Sequence, residues 1–267
     1  MEAETLLKSG DMAGARQSLA ALLRQEPGNS QARQFFWQLI AVHGEWEKAG
    51  TQLQALSTTE PKAMMLAGVY NQALAAMIAR DKVFAGKERP KSIVGTEPWV
   101  EALLDAIHAS NCKDPGAAAM NAAALEAAPA NSGTLNGEAF AWIADADSRF
   151  GPMMEIIVGD QYGFVPFAAV KRIRSKGPED LRDMVWLSVD LELRSGQSSA
   201  ALTPVTYPGT YGCGQPALML ARGTDWAVLG GADGNDVGGA EHGLGQHLFT
   251  TDGPECGVLE LRELTLD

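Results

Sequence analysis

The feature that most limits what this chain can become is a pattern written twice, 34 residues apart. Gly10, Met12, Ala15, Leu19, Leu22 and Pro27 recur as Gly44, Trp46, Ala49, Leu53, Leu56 and Pro61, and Asp11 and Glu45 correspond in charge. That period is the length of a helix–turn–helix repeat. Glycine permits the turn between paired helices, and the small alanine lets them approach. The leucines form an apolar stripe, and proline ends the helix because it cannot donate the next hydrogen bond. Stacked hairpins of this kind build extended surfaces that suit a peptide or another protein's helix.

A tetratricopeptide-like (TPR-like) helical domain is therefore expected over residues 1–130. Asp11 is placed to cap a helix reaching about Gln25, and Ser30 to cap one reaching about Val42. The second carries Phe35, Phe36, Trp37, Leu39 and Ile40 on more than one face, with Trp37 where such repeats normally have a small residue. Phe35, Phe36, Trp37, Trp46 and Tyr70 are the candidate partner-binding residues, large apolar groups on groove-forming helices. Burial in the core is the plain alternative for each. After Pro61 a helix with Met64, Met65, Val69, Leu74 and Met77 should run to about Arg80. The repeat fades there, because Ile78 stands where a third turn glycine would fall. A connector follows over 83–98, then a helix from about Pro98 to Ala109 capped by Thr96. Asp114-Pro115 begins an alanine-rich helix to about Ala127.

From Asn131 the pattern changes to short strand-like runs separated by Gly, Pro, Asp or Asn. They are Ala139–Ala144, Met153–Val158, Tyr162–Phe167, Val185–Leu193, Ala200–Tyr207, Leu218–Ala221, Trp226–Leu229, His247–Thr250 and Val258–Leu261. Gly159-Asp160 and Ser195-Gly196 suit hairpin connections, and residues 178–184 suit a helical turn. Leu187, Val189, Leu191 and Leu193 alternate with polar residues, as a half-buried strand does. The expected class is α+β: the helical domain, then an antiparallel β-rich domain over 131–267, as a sheet or partly open barrel.

A net charge of −12 leaves no basic face for nucleic acid and is a poor match for an anionic membrane surface. No stretch has the pattern of a secretory signal or of a membrane-spanning helix. Cys112, Cys213 and Cys256 are widely spaced and fit neither a disulfide framework nor a metal pair. A cytoplasmic protein without a cofactor is expected.

Two features invite chemistry. On a strand, Asp145 and Asp147 would point to one face, where a divalent cation or Arg149 could pair with them. The glycine-rich run Gly230–Gly245 looks superficially like a cofactor loop. It lacks the phosphate-loop lysine, and Asp233, Asp236 and Glu241 would repel phosphate, so a surface loop is the expectation. His242 and His247 are not at zinc-protease spacing. A metal-dependent enzyme built on Asp145, Asp147 and the histidine-bearing loop is the alternative to a docking protein.

Specific residues of the second half carry a resemblance. Asn136-Gly137 precedes Trp142-Ile-Ala-Asp145-Ala-Asp147-Ser-Arg149-Phe-Gly151-Pro152, followed by Glu155, Tyr162, Pro166 and Phe167. Further on come Leu181-Arg182-Asp183, Trp186, Tyr207-Pro208-Gly209 and Thr224-Asp225-Trp226. Together with the repeated helical start, the chain resembles the ImpE/SciE family, also called TagJ, of bacterial type VI secretion. The resemblance implies a non-enzymatic cytoplasmic adaptor that binds the N-terminal helix of the small contractile-sheath subunit. It also implies a link to the AAA+ ATPase that disassembles the sheath. It implies no catalytic residues and does not say which residues touch the partner.

Overall fold

The computed structural model of the protein describes residues 1–95, 97–228 and 241–267. Seven helices come first: α1 (Glu2–Lys8), α2 (Met12–Gln25), α3 (Ser30–Val42), α4 (Trp46–Thr59), α5 (Ala63–Phe84), α6 (Pro98–Asn111) and α7 (Ala117–Ala127). Each of the first five packs on its sequence neighbour, and α6 packs on α7. The doubled pattern is the cause. Gly10 and Gly44 take φ of +87° and +70° at equivalent turns, where a side chain would be strained. Ala15, Leu19, Ala49, Leu53 and Leu56 form the buried stripes.

The helix ends differ in detail from expectation. Asp11 caps α2 by accepting the Gly14 N–H, whereas α3 is capped by Asn29, which accepts from Ala32, so Ser30 is already inside the helix. Helix α5 continues past Arg80 to Phe84. Glu97 is the capping position of α6, and Thr96 lies outside the described residues. Asp114 accepts the Gly116 N–H one turn before α7 begins.

The strands are β1 (Gly133–Leu135), β2 (Glu138–Phe140), β3 (Ile143–Asp145), β4 (Met153–Val158), β5 (Gln161–Pro166), β6 (Val170–Arg174), β7 (Trp186–Leu193), β8 (Ser198–Pro204), β9 (Thr224–Val228), β10 (Glu241–Gly245), β11 (Leu248–Thr251), β12 (Cys256–Gly257) and β13 (Glu263–Leu266). The main sheet has eight strands in the order β2-β1-β13-β6-β7-β8-β4-β5, and every ladder in it is antiparallel. Its end strands do not meet, so it is an open sheet and not a barrel. Smaller sheets join β10 to β9, and β12 to β11 to β3. The connector to α6 lies along β5: Ile93 N–H donates to Phe164 O and Phe164 N–H to Lys91 O. A Cβ on Gly163 would stand 2.6 Å from the Lys91 carbonyl, so glycine lets the two backbones close.

Three of the expected strands have another form. Ala139–Ala144 is divided between β2 and β3, which belong to different sheets. Leu218–Ala221 overlaps a short helix, α8 (Pro216–Met219), which Pro216 opens from the first turn. Val258–Leu261 overlaps a 3-10 turn at 258–260. Strand β9 ends at Val228, and the expected Leu229 lies outside the described residues.

One hydrophobic cluster runs through both kinds of structure, joining Trp37, Leu53, Met77 and Leu103 of the helices to Met153, Phe164, Trp186 and Tyr207. A second lies within the β-rich half, around Ile156, Phe167, Ile173, Val189, Phe249 and Leu264.

Candidate functional site

The aromatic residues expected to line a docking trough are mostly internal. Trp37, Trp46 and Tyr70 are buried, at 0, 3 and 6% exposure. The β-rich half covers them: the Trp186 ring lies 5.6 Å from Tyr70 and 6.0 Å from Trp46 between centroids, and Tyr211 meets Trp46 edge-on at 5.5 Å. Trp37 in turn packs 5.5 Å from Tyr70, and the Arg182 guanidinium lies over the Tyr70 ring. The chain therefore fills this face with its own later residues, because a large apolar ring gains most by leaving water completely. Phe35 and Phe36 are half-buried against the same core.

A different apolar surface is open. Met64, Met65 and Val69 on the first turns of α5 are 65, 84 and 49% exposed. Their positions, with Gly68, are one and four residues apart and so share one face of the helix. A Cβ at Gly68 would meet nothing within 4 Å.

Beneath the aromatic seam lies a chain of charged side chains sealed from solvent. Arg80 comes from α5, in line with the buried Ala73, Ala76, Met77 and Val83. Its Nε and Nη2 donate to the two oxygens of Glu155 on β4 at 2.7 and 2.6 Å, and Nη2 also reaches the Thr206 carbonyl at 2.8 Å. The Tyr162 hydroxyl of β5 donates to the same carboxylate. His247, just before β11, bridges Glu155 and Asp145: Nε2 is 2.9 Å from Glu155 Oε2 and Nδ1 is 2.7 Å from Asp145 Oδ2. Tyr207 O–H and the Asp147 N–H both donate to Asp145 Oδ1, at 2.6 and 2.8 Å. Arg80, Asp145, Glu155 and His247 are all at most 4% exposed.

Burial alone would raise the Glu155 carboxyl, but the charge of Arg80 and the hydrogen bonds from Arg80 and His247 overcome it and hold it well below the usual carboxylate range. Burial would lower His247, yet Asp145 and Glu155 together push it up to about 9. Asp147 sits beyond, in the turn after β3. Burial works against its ionised form, but Arg149 outweighs this, donating from Nε and Nη2 at 3.0 and 2.6 Å, and the carboxyl is lowered. The Gly243 N–H completes it at 2.8 Å.

This geometry corrects the expectation for Asp145 and Asp147. They do not share the face of a strand: Asp145 ends β3, Asp147 lies in the following turn, and their oxygens are taken by different internal donors. Arg149 does pair with Asp147. Among the described residues no group of three or more His, Cys, Asp or Glu is arranged to hold a metal ion. Of the glycine-rich run, Glu241–Gly245 forms β10, and Gly230–Ala240 lies outside the described residues. Sequence reasoning missed the link from Arg80 through Glu155 to His247. The available signal was an arginine lying in the apolar stripe of α5, where a charge is costly unless a partner is waiting.

The family model described as ImpE protein matches residues 137–265. The type VI secretion system accessory component TagJ of Pseudomonas aeruginosa is 34% identical over 268 aligned residues, which cover 100% of this chain and 92% of TagJ. The crystal structure of protein VPA1032 from Vibrio parahaemolyticus superposes with a TM-score of 0.87 at 20% identity, covering 100% of this chain and 98% of that one, and so shares the fold. The Asp145-to-Pro152 stretch, Glu155, Tyr162 and Tyr207, which carry the resemblance in sequence, meet around the sealed charges. The chain belongs to the ImpE/SciE (TagJ) family.

Proposed function

We propose that the protein is a non-catalytic cytoplasmic adaptor of a type VI secretion system, which holds the N-terminal helix of the small contractile-sheath subunit. In that role it is coupled to sheath assembly or to the AAA+ ATPase that takes the sheath apart. The observation that carries the reading is the 34% identity to TagJ along the whole of this chain. No helix among the described residues is long and apolar enough to cross a membrane, which is compatible with this setting. The saturated carboxylates around His247 favour a structural use of the charges over turnover of a substrate.

The docking face in this reading is the exposed stripe of α5, Met64, Met65, Gly68 and Val69. Methionines adapt their shape to a partner helix, and the bare backbone at Gly68 lets that helix come close. The test is titration with a synthetic peptide of the sheath subunit's N-terminal helix, using the wild type and Gly68→Gln. Gly68 lies in ordinary helical backbone with open space around it, so the variant folds. Binding by the wild type and at least about tenfold weaker binding by the variant are expected, because the added side chain holds the partner helix away from the centre of the face. No binding by the wild type would overturn the adaptor reading. Equal binding by both would move the docking face elsewhere.

A further inference from the structure

We infer that Arg80, Glu155, His247 and Asp145 form a proton-dependent lock between α5 and the β-rich half, closed while the Asp145–His247 pair keeps its proton. The geometry sets the requirement. Each ring nitrogen of His247 faces a carboxylate oxygen, at 2.7 and 2.9 Å, and a neutral ring has one N–H for these two acceptors. Burial raises the Asp145 carboxyl, but the imidazolium beside it and the hydrogen bonds from the Tyr207 hydroxyl and the Asp147 amide to Oδ1 favour its anion, and we place the proton on the ring. On the other side Glu155 is held ionised by Arg80 and accepts from Tyr162. The charges thus alternate as cation, anion, cation, anion along Arg80, Glu155, His247 and Asp145, and they sum to zero. Removing one proton leaves a net negative charge where water has no access and sets a lone pair against a carboxylate oxygen.

Among the described residues, the charged and titratable groups that face these side chains come from several elements around them. They are Arg80 from α5, Asp145 from β3, Asp147 and Arg149 from the turn that follows, Glu155 from β4, and Tyr162 from β5. Tyr207 follows β8, and Tyr211 beyond it is paired with Asp81 of α5. The Tyr207 ring lies 4.0 Å from the imidazole between centroids, and Phe150 covers it at 5.5 Å. None of these supplies a second proton to the pair. The backbone of His247 also ties neighbouring segments together, donating to Val205 O just after β8 and accepting from the Val258 N–H of the 3-10 turn. A ring pushed out of place therefore disturbs the seating of β11 as well as the tie to α5.

The folded protein keeps this proton up to about pH 9, whereas an unfolded histidine releases it near 6.5. The stabilisation is complete below 6.5 and is lost as the pH rises through 9. Across that window the unfolding equilibrium constant should grow by up to about tenfold per pH unit.

Two measurements on the full chain test this. In proton–nitrogen spectra of the imidazoles, one of the four histidines should retain both N–H groups until about pH 9. That signal should vanish in His247→Gln. If His247→Gln does not fold, His43→Gln, His108→Gln and His242→Gln assign it by elimination, since none of these three is buried. Denaturant midpoints of the wild type should fall steadily from pH 7 to 9.5, and those of His247→Gln should show no such step. A wild-type midpoint that stays flat over this range, or an imidazole of residue 247 that is neutral at pH 7.5, overturns the lock.

Discussion

The two halves of this molecule are assembled by opposite means. In α1 to α5 each element packs on the one before it, and the instructions are local: a glycine turn, a cap, a leucine stripe, a proline. In the sheet, β13 lies between β1 and β6, and β8 separates β7 from β4, so neighbours in space come from distant parts of the chain. Where the halves meet, neither logic suffices. The contact is made by residues whose own element gives them no partner: Trp37, Trp46, Tyr70 and Arg80 on one side, Trp186, Tyr211, Glu155 and His247 on the other. Local rules shape each half, and the join carries the residues that break them.

The largest effect should come from cutting the join itself. Arg80→Ala leaves Glu155 buried without its cation and should cost about 3–5 kcal/mol in chemical denaturation. A single cooperative transition in that variant means the halves still fold as one unit, and two transitions mean that the charges were what coupled them. Trp37→Ala removes a fully buried indole and should cost about 3 kcal/mol, with no first effect on partner affinity beyond that loss of fold. The repeated turn glycines compare the two environments directly. Both positions carry the penalty of left-handed backbone, about 1–2 kcal/mol for a residue with a side chain. At Gly44 a Cβ would also stand 2.4 Å from the Tyr211 ring, whereas at Gly10 it meets nothing within 4 Å. Thermal melting should therefore rank Gly44→Ala as more damaging than Gly10→Ala. Smallest is Asn29→Ala, which removes the cap of α3 and should cost about 1 kcal/mol without touching the join.

The helical half was legible because its signals lie within a few residues of their effects. Gly10, Gly44 and Asp11 do what their sequence positions imply, and the error at Ser30 is a single step along the chain. The sheet was legible where an apolar run is long, as in β4, or alternates, as in β7, and the turn at Gly159-Asp160 joins β4 to β5 as expected. Strands β1, β6, β10, β12 and β13 were missed. Strand β6 reads Val-Lys-Arg-Ile-Arg, two apolar residues among three cations, and becomes a strand because β7 and β13 pair with it on both sides. The candidate site was partly visible. Asp145 and Asp147 stood out, but their partners Tyr207, Gly243 and His247 lie far off in sequence, with no spacing to reveal them. Trp37, Trp46 and Tyr70 were visible as large rings on helices, and only the arrival of Trp186 on Trp46 and Tyr70, with Trp37 packed on Tyr70, decides that they face inward.

The place of β13 has a consequence for synthesis. Glu263–Leu266 is the common neighbour of β1 and β6, pairing with both along its length. During translation those two strands must wait, each with one bare row of amide and carbonyl groups, until Glu263–Leu266 has left the ribosome. A product stopped before residue 263 would leave that gap permanently open, marked for proteases or for self-association by its unpaired edges. Strand β13 thus works as a keystone, admitting to the folded population only polypeptides that were read through to it.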